Sequence, residues 1–110
     1  ADIIKQDYQA SNLVARCYAL LGKKDDSLEK YKEMTKTYPD SVGPWLELGK
    51  TYFISGDAKD AVIYLAKVLE KDPNNVEGVS FISQAYDKLG DTKNAIKAYE
   101  KAKKVNPKEM

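Results

Sequence analysis

Residues 42–75 read VGPWLELGKTYFISGDAKDAVIYLAKVLEKDPNN, and their pattern can be laid over the sequence on both sides without a gap. A shift of 34 residues superimposes three kinds of landmark. These are Tyr18, Tyr52 and Tyr86, then Gly22, Gly56 and Gly90, and then Pro39, Pro73 and Pro107. Three residue types that each recur in register indicate a repeat array.

Each copy has the pattern of two short amphipathic helices and a turn. In the middle copy, apolar side chains lie at helical spacing in residues 45–52 and again in residues 61–68. Ser-Gly-Asp at residues 55–57 separates the two helical patterns. The pattern therefore predicts a helix-turn-helix hairpin for each copy.

This arrangement resembles the tetratricopeptide repeat, whose pattern is W-x2-L-G-x2-Y, then A-x3-F, then P. The middle copy matches at Trp45, Leu48, Gly49, Tyr52, Ala61 and Pro73, with Leu65 in the aromatic position. The third copy reads Val79, Ile82, Ser83, Tyr86, Ala95, Tyr99, Ala102 and Pro107, and the first reads Ser11, Val14, Ala15, Tyr18, Ser27, Tyr31, Met34 and Pro39. The first copy is the most degenerate, because it lacks the Trp and Gly of the pattern.

The resemblance covers residues 8–109 as repeats 8–41, 42–75 and 76–109, which make one domain. It implies an all-α fold, an α-α superhelix in which three hairpins form a right-handed solenoid. Residues 1–7 are expected to form a short N-terminal extension leading into the first helix.

The bulk composition excludes several classes of function. Lys plus Arg (18) nearly balance Asp plus Glu (17), so bulk attraction to nucleic acid or an anionic membrane is not expected. No apolar run is long enough to insert into a bilayer as a spanning helix. The single cysteine, Cys17, can form no internal disulfide, so it does not reveal the compartment.

Histidine is absent from the sequence. This removes Ser-His and Cys-His nucleophiles, the commonest general base and the His-containing zinc sites. The glycines are isolated turn residues one repeat apart, and the EF-hand spacing is missing. We therefore expect no enzymatic activity, no metal and no cofactor.

Helix boundaries follow from turn and capping residues. The first helix is predicted from about Gln9 to Leu21 and the second from Ser27 to Tyr38, ended by Pro39. The expected N-caps are Asp25 or Asp26 in the first copy, Asp57 and Asn75 in the second, and Asp91 in the third.

Small residues recur at two positions of the repeat where the helices of a hairpin are expected to approach closely. They are Ala15, Gly49 and Ser83, and then Ser27, Ala61 and Ala95. Cys17 falls on the inner side of the first helix beside Val14 and Tyr18, so we expect it to be a small core residue.

The resemblance implies that the first helix of each pair lines a concave groove that binds a peptide or protein segment. Its predicted groove residues are Asn12, Arg16, Leu46, Glu47, Lys50, Phe53, Ile54, Glu77, Phe81, Gln84 and Lys88. Ile54 and Phe81 are the apolar residues least expected at these positions. The predicted partner carries apolar anchors and mixed charge.

One subtype of the family binds a chaperone's terminal carboxylate through Lys, Asn and Arg in these first helices. Here Glu47 stands where an asparagine is required, and Glu77 and Phe81 stand where cations are required. Carboxylates at these positions would repel a terminal carboxylate, so the chaperone clamp is not expected.

Two further surfaces follow from the last helix. Its lysines Lys93, Lys97 and Lys101 share a face, and Lys104 continues the row. The row is either an outer-surface patch for an acidic partner or a solvated outer surface, and we expect the solvated surface because no aromatic or Gly-rich element accompanies the row.

The other surface is apolar. Ile96, Tyr99, Ala102 and Val105, together with Val79 and Ile82, exceed what one layer of contacts can cover. The alternative function is therefore a structural assembly module that self-associates through this face. The chain is expected either to be part of a longer array or to stack on a second molecule as a homo-oligomer.

Overall fold

The computed structural model describes the backbone of residues 2–105 and the side chains of residues 6–101. It contains six helices joined by short turns. They are α1 (Asp2–Leu20), α2 (Lys24–Thr37), α3 (Val42–Ile54), α4 (Ala58–Lys71), α5 (Val76–Lys88) and α6 (Thr92–Val105). Within residues 2–105 no strand occurs, so the fold is the all-α solenoid of three hairpins that the repeat pattern predicts.

The turn inside each hairpin is built on a glycine with positive φ, +78° at Gly22, +90° at Gly56 and +76° at Gly90. Glycine adopts this conformation readily because it has no Cβ. The amide that follows each glycine donates back to a tyrosine carbonyl of the first helix, as Lys23 does to Tyr18 at 2.8 Å. This local bond closes the end of the helix and reverses the chain direction.

The hairpins stack in chain order. Helix α2 packs against α3 and α4 packs against α5, so each of these helices lies between its own partner and the next hairpin. The first helices α3 and α5 also contact each other directly. The resulting solenoid measures 41 × 30 × 22 Å.

Helix α1 begins at Asp2, earlier than the predicted start at Gln9, so residues 2–7 form its first turns rather than a separate extension. No glycine or proline interrupts residues 2–20. The early part of the helix is tied to the end of α2. The Tyr8 ring meets the Tyr38 ring edge to face at 5.1 Å, and the Tyr38 hydroxyl donates to the Asp7 carboxylate.

The predicted caps form in the second and third repeats. The carboxylate of Asp57 accepts from the Asp60 amide at 3.2 Å, Asn75 Oδ1 accepts from Gly78 at 2.7 Å, and Asp91 accepts from Asn94 at 3.2 Å. In the first repeat the prediction was wrong. Helix α2 begins at Lys24 after Lys23, which has no capping side-chain bond, so Asp25 and Asp26 lie inside the first helical turn.

The six small residues expected at close approaches are all buried. Their use is clearest at Gly49, where α3 lies directly against Leu65 of α4. In the first hairpin the Ser27 hydroxyl donates to the Ala15 carbonyl at 2.9 Å, so the polar side chain is satisfied inside the core. Close helix packing within each hairpin therefore depends on these residues.

Cys17 is exposed, which contradicts the core position predicted for it. The corresponding residue of the third repeat, Ala85, is fully buried in one cluster with Ala58 and Leu65 of α4. This position thus faces the second helix of the preceding hairpin. Helix α1 has no such helix before it in the described chain, so its cysteine lies open.

Candidate functional site

The first helices α1, α3 and α5 form one wall of the solenoid, and the predicted groove residues lie on them. The best-defined part of this wall is the contact between α3 and α5. The Phe53 and Phe81 rings meet edge to face, with centroids 5.6 Å apart and planes at 73°. Both rings, and Leu46, are half-buried against the core formed by α4 and α5, so the aromatic pair has a fixed position.

Lys50 lies at the centre of the charged part of this wall. Its Nζ is 3.1 Å from Glu77 Oε2, 3.6 Å from Glu47 Oε1 and 5.9 Å from the centre of the Phe81 ring. Burial acts to lower the pKa of Lys50, but the hydrogen bond and the charges of the two glutamates outweigh it and raise that pKa. Lys50 is therefore a fixed positive charge that bridges α3 and α5.

A second cation approaches the same aromatic pair. Lys88 Nζ lies 5.5 Å from the centre of the Phe53 ring, and the lysine side chain is exposed. Each phenylalanine thus carries a lysine over its face, an arrangement that stabilises the cation electrostatically. Within residues 6–101 Lys88 forms no ion pair, so its charge remains open to an incoming carboxylate.

Ile54 follows Phe53 at the end of α3 and is 76% exposed. It is therefore an apolar side chain in water beside the aromatic pair. Gln84 is also exposed, and its amide donates to the carbonyl and hydroxyl of Ser80 one turn earlier. The contacts between α3 and α5 thus join Lys50, Phe53, Glu77, Phe81 and Lys88, while Ile54 and Gln84 lie outside these contacts in the described residues.

The groove residues of α1 are less closely connected to this cluster. Asn12 is half-buried and Arg16 is exposed, and in the described chain no hydrogen bond or ion pair joins either side chain to α3 or α5. Glu47 is the nearest electrostatic link, because its charge contributes, after burial, to the raised pKa values of Tyr8 and Tyr31.

The residues of the predicted self-association face differ in exposure. Ile96 and Tyr99 are exposed, while Ala102 and Val105 have side chains outside the described residues. Val79 and Ile82 are buried, so their assignment to this face was wrong. They pack inward because α5 is already covered by α4 on that side.

A second open face, at the other end of the solenoid, was not predicted. Val14 of α1 is 42% exposed, whereas its equivalents Leu48 and Ile82 are buried against the hairpin before them. Leu21 is exposed on the same side as Val14 and Cys17. The 34-residue register contained this signal, since it aligns Val14 with two core residues.

Other kinds of site receive no support from the described residues. No cluster of three or more potential metal ligands occurs among them. None of the helices that the structure describes combines the length and apolarity required to span a bilayer.

Comparison with solved structures agrees with this architecture. A crystal structure of MamA protein superimposes with a TM-score of 0.82 at 18% identity, over 92% of this chain and 55% of that chain. A second MamA crystal structure gives a TM-score of 0.81 at 21% identity, over 96% and 64% of the two chains. At this identity the likeness shows the fold alone.

Sequence comparison adds a relative and the family. Protein CTR9 homolog of Arabidopsis thaliana is 31% identical over 78 residues, which are 71% of this chain and only 7% of that protein. Family models described as tetratricopeptide repeat match residues 21–76 and residues 80–109. Because the first of these models alone spans half of the sequence, the chain belongs to the tetratricopeptide repeat family.

Proposed function

We propose that this protein is a non-enzymatic scaffold that binds a peptide or protein segment in its concave groove. Tetratricopeptide repeats are protein-interaction modules, and the proposal assigns the interaction here to α3 and α5. The observation that carries it is the Phe53–Phe81 pair, flanked by Lys50 and Lys88 and continued by exposed Ile54. Well-packed aromatic side chains near the centre of an interface often carry much of its binding energy.

The charges of the groove define the segment that fits. Glu47 and Glu77 are already close to Lys50, so a terminal carboxylate would gain one cation and meet two anions. An internal segment avoids this repulsion, because its backbone carries no net charge. We therefore infer an internal segment with an apolar anchor against Ile54 and Phe81 and an acidic residue beside exposed Lys88.

The test compares groove variants with a matched surface variant. Ile54→Asn combined with Phe81→Ser removes the apolar anchors, and binding of a partner captured from native lysate should weaken by about thirtyfold or more, as expected for a hot spot. Ile63→Asn is the control, because Ile63 is 56% exposed on α4, outside the groove. Equal capture by all three proteins, with unchanged circular dichroism, would contradict groove binding.

A second candidate function is assembly through the ends of the solenoid. Tyr99 is 43% exposed, whereas its equivalents Tyr31 and Leu65 are buried against the hairpin that follows them. Val14 shows the same contrast at the other end. Both ends thus expose apolar positions that stacking covers elsewhere in the molecule, so a head-to-tail contact between copies would repeat the internal packing.

Sedimentation at increasing concentration tests this assembly. Head-to-tail association should be suppressed by each of Tyr99→Glu, Ile96→Lys and Val14→Glu, because each puts a charge on a contact surface. A mixture of the Tyr99→Glu and Val14→Glu proteins distinguishes head-to-tail stacking from a two-fold contact between copies. Each then retains one intact end, so head-to-tail stacking stops at dimers, whereas a two-fold contact through α6 leaves the Val14→Glu protein unaffected. A monomer at all concentrations would refute both forms.

A further inference from the structure

Two equivalent grooves run along the outer surface of the solenoid, between successive second helices. The first lies between α2 and α4, and the second lies between α4 and α6. We call them the first and second outer grooves. Because they are related by the 34-residue repeat, each can be compared with the other position by position.

The first outer groove is floored by aromatic rings that pack on one another. Tyr52 and Tyr64 stack with centroids 5.4 Å apart and planes only 3° apart, and Trp45 lies 6.1 Å from Tyr64. Lys32 Nζ lies 5.7 Å from the centre of the Tyr52 ring. The Tyr52 ring is therefore covered by two side chains of the same molecule. Open spaces of about 400 Å³ beside Trp45 and Tyr64 and of about 470 Å³ beside Tyr52 remain, and both are bordered by charged residues of α2.

The second outer groove has a tyrosine at the same position, but it lacks the two side chains that cover Tyr52 in the first outer groove. Tyr86 corresponds to Tyr52, while Ala98 stands in place of Tyr64 and Ala66 stands in place of Lys32. A shallow cavity of about 390 Å³, open to solvent, lies at this point, lined by Leu69, Ile82, Tyr86 and Ala98 among others. Among residues 6–101 no aromatic ring stacks on Tyr86 and no cation lies over it, so Tyr86 lacks the partner that Tyr64 supplies to Tyr52.

The rim of this cavity is basic on the α6 side. Lys97 and Lys101 line it, and both are exposed. Neither lysine forms an ion pair with any carboxylate of residues 6–101. On the α4 side Glu70 also lines the cavity, but its carboxylate is 3.4 Å from Lys67 and so is already neutralised in part.

The lysine row of α6 therefore does have an aromatic neighbour, contrary to the expectation from sequence. Tyr86 belongs to α5, whereas the lysines belong to α6, the second helix of the same hairpin. Tyr86 and the lysines therefore come together only in the folded chain. Cations beside an apolar cavity are complementary to a ligand that carries both an aromatic group and negative charge.

We propose that the second outer groove is a docking site for an acidic peptide segment with one aromatic anchor. The anchor stacks on Tyr86 in the space that Ala98 leaves open, as Tyr64 stacks on Tyr52 in the repeat before it. Acidic residues on both sides of the anchor pair with Lys97 and Lys101. This site lies between α4 and α6 with Ile82 and Tyr86 of α5 at its base, and its lining shares no residue with the predicted concave groove.

The probe is a short peptide with one phenylalanine between runs of glutamate, acetylated and amidated at its ends. Titration into ¹⁵N-labelled protein should shift amide signals of Leu69, Ile82, Tyr86 and Ala98 and leave those of Phe53 and Phe81 in place. The same peptide with alanine for phenylalanine should bind about tenfold more weakly. Shifts confined to the concave groove would overturn the proposal without affecting the proposed function.

Two variants test the site independently. Ala98→Tyr restores the ring of the first outer groove, fills the cavity from within, and should weaken the probe by about tenfold or more. Lys97→Glu combined with Lys101→Glu should weaken it at least as much, with a reduced dependence on salt. Lys24→Glu combined with Lys36→Glu makes the same charge change on α2 and should leave the affinity unaltered. Binding that persists in both groove variants, or that falls equally in the α2 control, would refute the site.

Discussion

The approach of α3 to α4 at Gly49 leads to a quantitative prediction. A Cβ on Gly49 would lie 2.6 Å from both Cγ and Cδ2 of Leu65. Leu65 is fully buried, so its side chain cannot swing away into solvent. The helices must then separate, and overpacking of this kind costs about 1 to 3 kcal/mol.

The greater helix propensity of alanine opposes this cost. Replacing glycine by alanine inside a helix ordinarily stabilises it by about 1 kcal/mol. The net effect of Gly49→Ala should therefore be a loss of about 0 to 2 kcal/mol where an unhindered site would show a gain. In a Leu65→Ala background the obstructing atoms are absent, so the same substitution should stabilise by about 0.5 to 1 kcal/mol. The difference between the two backgrounds corresponds to a coupling of about 0.5 to 3 kcal/mol.

The assay is a double-mutant cycle by urea unfolding of the wild type, the two single variants and the double variant. Far-ultraviolet circular dichroism and fluorescence of the single tryptophan, Trp45, should report the same midpoint if unfolding is two-state. Leu65→Ala by itself should cost about 2 to 5 kcal/mol through the cavity it leaves. If that depletes the native baseline, one concentration of a stabilising osmolyte is added to all four proteins.

The refuting result is additivity. If Gly49→Ala stabilises the wild type and the Leu65→Ala protein equally, the two helices are not held in contact at this point. Their approach would then not explain why the repeat has its smallest residue here.

Three further predictions rest on single features of the structure. Lys23 has φ −93° and ψ 70°, nearly the conformation of the capping residue Asp57, which has φ −96° and ψ 72°. Lys23→Asn should therefore cap α2 and stabilise the protein by about 0.5 to 1 kcal/mol. The control Lys24→Asn lies inside the helix and should not stabilise the protein. Burial first and then the charge of Glu47 raise the pKa of Tyr31 from 10.0 to about 12, so the neutral phenol is favoured in the fold. The stability that this provides is complete below pH 10.0 and is lost as the pH rises towards about 12, and urea midpoints should fall less over that window in Tyr31→Phe. Cys17 is exposed, so its thiol should react with dithionitrobenzoate in the native protein as fast as in urea. A slow reaction that accelerates on dilution of the protein would instead indicate that a second copy covers the α1 face.

The sequence by itself determined the architecture, because the signals for it are local and repeated. Tyr, Gly and Pro recur every 34 residues. Turn and capping residues act on their own helix ends, as Gly56 does through its positive φ and Asp57 does through its cap. The family resemblance predicts Phe53, Ile54 and Phe81 as groove residues from their positions in the first helices, and that assignment stays a prediction. The α2 cap was wrong because Lys23, which has no acceptor oxygen, occupies the capping position there.

What only the tertiary structure decided is which equivalent positions are covered. Val14 and Leu48 share a position in the repeat, yet one is 42% exposed and the other is buried, because a face is covered only by the hairpin stacked on it. The pairing of Lys50 with Glu77, 27 residues apart, likewise requires α3 and α5 to be side by side. The cavity beside Tyr86 is a third case, because it is lined by Ala66 on one helix and Ala98 on another. Burial, ion pairs and cavities depend on contacts between hairpins. The register of a repeat specifies which positions meet, but it does not specify how the side chains at those positions fill the space between them.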